Sequence, residues 1–128
     1  MKLNELLLEY LQEEGFRPQV DESDGEIMFK FEGLGFSYMP DENDELYFAL
    51  RLPAIYDVDE DNREQVLEAC NKTSMGMKVA KVFIVNDKSV WAVFEILFDS
   101  TPVMKDVVPR ALYILRDTRA AFYQNLQD

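Results

Sequence analysis

Histidine occurs nowhere among the 128 residues, and cysteine occurs once, as Cys70. The missing imidazole removes the commonest general base at neutral pH, along with any Ser–His or Cys–His nucleophile pair. It also removes the usual catalytic zinc sites, and a lone thiol can build neither a metal cage nor an internal disulfide. That cysteine usage favours a reducing compartment. Glycine-rich phosphate loops are lacking too: Gly33 and Gly35 are followed by Phe36, Ser37 and Tyr38 in a strand pattern, with no Lys–Ser/Thr and no third Gly. Both are read as turn or bulge glycines. Long apolar runs are missing as well. The N-terminal stretch MKLNELLLEYLQEEG is interrupted by Glu5 and Glu9, whereas a secretory core needs about seven uncharged apolar residues. Nothing approaches the roughly 18 apolar residues of a membrane-spanning helix. A cytoplasmic chain with no cofactor, no membrane partner and no nucleic acid is expected.

Acid is abundant. The net charge of −12 is unevenly placed: residues 1–61 carry seventeen acidic and four basic side chains, while residues 77–128 carry six acidic and seven basic. Binding to phosphate backbones needs clustered basic groups, so the N-terminal half would be repelled by nucleic acid. An acidic surface of this kind keeps a protein soluble and attracts basic partners. The nine Phe and six Tyr are ample for a core, and 128 residues suit a single domain, 1–128.

Hydrophobic spacing predicts the elements. Leu3, Leu6, Leu7, Tyr10 and Leu11 mark one face of a helix closed by Gly15. Phe16 to Val20, broken by Pro18, suits an edge strand. Ile27, Phe29 and Phe31, then Leu34, Phe36 and Tyr38, then Leu46 to Leu52 alternate with period two, as in an antiparallel meander. A second helix is expected from a capping box of Asp61 and Glu64, with Val66, Leu67 and Cys70 as its apolar stripe. Two strands follow over about 77–86 and 89–98. Thr101 and Pro102 then predict a last helix, with Pro109 kinking it or marking its true start. The fold class is therefore α+β: an antiparallel sheet of five or six strands with helices at the N-terminus, middle and C-terminus.

The last two strands are apolar on both faces. Val79, Phe83 and Val85 oppose Ala80, Val82 and Ile84; Val90, Ala92, Phe94, Ile96 and Phe98 oppose Trp91, Val93 and Leu97. Such strands are normally covered on both sides. Three helices would most economically cover one face, which leaves the other for a partner. Met77, Val82, Ile84, Trp91, Val93 and Leu97 are the expected partner surface.

Candidates for chemistry are few. Cys70 lies in an apolar stripe, as a small core residue does. Glu95, in an apolar strand, needs a Lys or Arg on a neighbouring strand. Asp57, Asp59, Asp61 and Glu68 match the ligand spacing of a calcium-binding EF-hand loop, with Glu68 at its twelfth position. Asn62 at the glycine position, Glu64 at an apolar position and a strand-like preceding segment favour an acid-rich helix cap instead. A calcium-responsive domain, or a small enzyme using carboxylates alone, are the alternatives to a binding module.

The run VLEACNKTSMGMKVAKVFIVNDKSVWAVFEILF, with a first helix ending at Gly15 and a last helix PRALYILRDTRAAFYQNL, resembles the bacterial YbjN-like family of sensory transduction regulators. That family is similar in fold to type III secretion chaperones. The resemblance implies a non-enzymatic homodimer that acts in regulation or binds an unidentified protein client, with no catalytic residues to carry over.

Overall fold

A computed structural model describes residues 2–127, which form nine elements. Helix α1 (Leu3–Glu13) buries Leu3, Leu7 and Leu11 at intervals of four. Its start is capped by Glu5, whose carboxylate accepts the Lys2 backbone N–H at 3.2 Å. Its end is a Schellman turn: Phe16 N–H reaches Leu11 O at 2.9 Å and Gly15 N–H reaches Gln12 O at 3.1 Å. Gly15 sits at φ +81, a conformation only glycine adopts without strain.

Six antiparallel strands follow the order β1-β2-β3-β4-β6-β5, comprising β1 (Gln19–Val20), β2 (Ile27–Phe31), β3 (Leu34–Tyr38), β4 (Tyr47–Asp57), β5 (Ala80–Val85) and β6 (Ser89–Leu97). Pro18 helps keep β1 to two residues at the edge. Glu32 and Gly33 both take positive φ, so β2 and β3 join through the two-residue turn whose twist matches its strands. Asn86 and Asp87 also take positive φ in the three-residue connection between β5 and β6, where the Lys88 N–H reaches Val85 O at 3.0 Å. The meander β1–β3 meets β4 in register only through Ser37–Arg51 and Tyr38–Leu50, whereas β4 and β6 pair along most of their length. The β4–β6 ladder shifts register between Leu52 and Tyr56, where Ala54 takes φ 53.

Helix α2 (Arg63–Gly76) packs on β5, and α3 (Met104–Gln127) runs across β4, β5, β6 and both other helices. Phe36, Phe48, Leu50, Leu52, Val90 and Ala92 from the sheet meet Leu7, Val66, Val108, Leu115 and Phe122 from the helices in one core.

Three sequence expectations shift. The start of α2 is held by Asp59 and Asn62, not by Asp61 and Glu64: each side chain accepts the other's backbone N–H, at 2.8 and 2.9 Å. Leu67 is exposed, and Ala69 and Thr73 complete the buried stripe with Val66 and Cys70. Helix α3 begins at Met104 rather than at Thr101–Pro102, and it continues through Pro109.

A candidate protein-binding face

Register decides which side chains share a face. Phe48, Leu50 and Leu52 of β4 lie beside Ile96, Phe94 and Ala92 of β6, which lie beside Ala80 and Val82 of β5, all toward the helices. Alternation therefore sends Tyr47, Ala49, Arg51, Trp91, Val93, Glu95, Leu97, Lys81 and Phe83 to the opposite side. The helices pack on one side of the sheet and leave this side uncovered. Leu97 is 72% exposed there, and Phe83 is 37% exposed.

Two polar networks cross this face. In the first, Arg51 donates to Ser37 Oγ at 2.6 Å and lies 3.4 Å from Glu26, while the Ser37 hydroxyl donates to the same carboxylate. The Arg51 guanidinium also lies 5.4 Å from the Trp91 ring centroid, and its buried Nε has no partner. The Trp91 indole N–H donates to Ser89 Oγ at 3.1 Å. In the second, Glu95 accepts from the Tyr47 hydroxyl and pairs with Lys81 Nζ at 2.7 Å; Lys81 in turn lies over Phe83. This is the cross-strand cation that the apolar setting of Glu95 demanded.

The chemistry of the second network follows from those contacts. The bond from Lys81, then that from Tyr47, holds the Glu95 carboxyl below its ordinary range despite partial burial. Burial, then the bond to Glu95, pushes the Tyr47 phenol up to about 12. Val93 pairs with Arg51 on one side and Lys81 on the other, and it is only 5% exposed although it lies outside the helix-facing core. The aliphatic stems of its long neighbours shield it.

Of the residues expected to form a partner surface, Trp91, Val93 and Leu97 lie on this uncovered side. Met77 is the half-buried residue that caps the end of α2. Val82 and Ile84 do not belong to the surface. Val82 pairs with Ala92 and Ile84 with Val90, so both turn toward the helices; Val82 is 5% exposed and Ile84 packs against the core. Phe83, Tyr47 and Arg51 lie on the uncovered side instead. Cross-strand register carries that distinction, and two strands apolar on both faces do not reveal it by composition.

The calcium-loop candidates do not converge. Asp57 ends β4, the Asp59 carboxylate is occupied by Asn62 N–H, and Glu68 is exposed on α2. Among the described residues, the acids whose oxygens lie within 4.8 Å of one another are Asp21, Asp24 and Glu26. Asp21 and Asp24 accept the backbone N–H groups of Ser23 and Glu26, and Glu26 is engaged by Arg51. A separate groove gathers Glu22, Asp24, Asp41, Glu42, Asp44 and Glu45, all exposed; Asp41 and Asp44 accept N–H bonds within their own loop. The aspartates among them hold turns. Cys70 is buried, and desolvation pushes its thiol up to about 11, far from the thiolate that chemistry would need.

This layout defines an α+β protein of the type III secretion chaperone-like fold. A chain in the crystal structure of the ExsC–ExsE complex superposes with a TM-score of 0.59 at 15% identity, covering 93% of this chain and 92% of that one. No family model matches the sequence, and no curated protein matches it. No helix among the described residues is long and apolar enough to cross a membrane.

Proposed function

We propose that this chain is a non-enzymatic, protein-binding domain of the bacterial cytoplasm that works as a homodimer, in regulation or in holding a protein client. The observation that carries this reading is the one-sided sheet. Three helices cover one face and leave Leu97, Phe83 and Trp91 on the other, an apolar arrangement that a second chain would cover. The chaperone-like fold supports a protein partner, and the likeness to the YbjN-like run supports a regulatory setting. The single, buried Cys70 agrees with a reducing compartment.

Sedimentation velocity tests the dimer, with Leu97→Glu as the probe. Leu97 is so exposed that a charge there leaves the fold intact, so a wild-type dimer that becomes a folded monomer supports the interface. A wild-type monomer at all concentrations removes the homodimer.

A further inference from the structure

At the end of the sheet where α1 begins, a groove of about 610 Å³ opens between the β1–β2 loop and the β3–β4 loop. Glu22 and Asp24 stand on the first loop, and Asp41, Glu42, Asp44 and Glu45 on the second. Against these exposed carboxylates the lining sets a single cation, Lys2. The aspartates accept N–H bonds within their own loops. The glutamates have neither a hydrogen bond nor an ion pair among the described residues. A cleft walled by charge of one sign concentrates counter-ions of the other.

The floor adds a polar group that the fold leaves unused. Tyr38 belongs to the core with Leu3 and is 2% exposed, its ring stacked on Phe48 at 5.3 Å, yet it lines the groove. The hydroxyl is the end that reaches the opening. The Tyr47 and Tyr123 hydroxyls donate to Glu95 and to Ile55 O, whereas that of Tyr38 has no hydrogen-bond partner among the described residues. Burial, then the charge of Asp41, pushes this phenol up to about 12, so it stays protonated at neutral pH. A buried polar group of this kind usually has a partner, and a ligand can supply it.

The acids are spread along the groove rather than gathered. Among the described residues, the acids whose oxygens lie within 4.8 Å of one another are Asp21, Asp24 and Glu26, and the groove shares Asp24 alone with that group. A divalent ion needs its oxygens converged on one point, whereas separated carboxylates suit separated cations. We propose that this groove binds a basic, extended segment of a protein partner, with arginine or lysine side chains spaced along it. The free glutamates would pair with its cations, and the Tyr38 hydroxyl would accept an N–H from one of them. This inference deepens the protein-binding reading and rests on it. Leu3 and Tyr38 lie in the helix-facing core, so the groove is separate from the uncovered face assigned to the dimer.

Fluorescence polarisation at physiological salt tests it, using the full chain with a fluorescein-labelled peptide alternating Arg with Ser and a counterpart with citrulline in place of Arg. The Arg peptide is expected to bind saturably and at least about tenfold more tightly than its uncharged counterpart. Glu22→Gln with Glu42→Gln and Glu45→Gln should cost about tenfold in affinity. Glu60→Gln with Glu64→Gln and Glu68→Gln makes the same change of charge at exposed positions around α2 and should leave affinity nearly unaltered. Tyr38→Phe should weaken the Arg peptide roughly fivefold, the size of one hydrogen bond, with no loss in urea midpoint because the hydroxyl has no partner to lose. Equal affinity for the two peptides, no saturable binding, equal losses in the two triple variants, or indifference to Tyr38→Phe overturns the proposal. So does displacement of the peptide by an equal concentration of spermidine or calcium, which would give the groove to a small polycation or a metal. Since the dimer is read separately through Leu97→Glu, failure of the groove is distinguishable from failure of the protein-binding reading.

Discussion

The guanidinium of Arg51 lies 5.4 Å from the ring centroid of Trp91 while the same group donates to Ser37 Oγ at 2.6 Å. One side chain thus ties β3, β4 and β6 together on the face without helices. Its planar, multi-donor head can stack and hydrogen-bond at once, which an ammonium cannot do.

Arg51→Ala should therefore destabilise the fold by about 1–2 kcal/mol, from the lost hydrogen bonds and the lost cation–π contact. Trp91 is the only tryptophan, so its emission reports the change directly. A shift to longer wavelength is expected together with a lower urea midpoint. Arg51→Lys should recover only part of either signal. An unchanged midpoint with unchanged emission would show that the stacking contributes nothing in solution.

The Tyr47–Glu95–Lys81 network predicts opposite behaviour at the two ends of the pH scale. Glu95 is held below its ordinary value of 4.5, so its contribution is present above that pH and is lost as pH falls further. Tyr47 is raised from 10.0 to about 12, so its contribution is present below 10.0 and is lost as pH rises toward 12. Melting temperatures across pH should show Glu95→Gln flattening the acid limb and Tyr47→Phe flattening the alkaline limb. The alkaline flattening will be partial, because burial raises Tyr38 to about 12 as well.

Val79 is 60% exposed and sits at φ 52, a conformation that a β-branched residue avoids. Its carbonyl accepts the Glu95 N–H at 3.4 Å, which holds the backbone there at the start of β5. Left-handed geometry costs an L-residue roughly 1–2 kcal/mol, and asparagine tolerates it better. Val79→Asn should raise stability by about 1 kcal/mol in chemical denaturation. A loss of stability would mean that the valine side chain makes a compensating contact.

Much of the architecture was legible in the sequence because its punctuation is strong. Gly15, Pro18, Gly33 and the Asn86–Asp87 pair are residues with backbone requirements, and each sits where an element ends or turns. The helix starts were less legible, since several acids near residue 60 offer similar caps and the reciprocal Asp59–Asn62 bonds depend on how the loop leaves β4. The uncovered face was legible only as a requirement. That Trp91 belongs with Phe83 rather than with Val82 follows from which residues stand opposite one another, and both strands are apolar at either parity.

The narrow seam between β3 and β4 gives this molecule two tempos. The N-terminal hairpin region is joined to the central ladder by the Ser37–Arg51 and Tyr38–Leu50 pairs, stitched on the open side by Glu26. Amide hydrogens of residues 27–38 should consequently exchange through a partial opening that leaves the β4–β6 ladder closed, the yielding part of the sheet parting from its rigid spine.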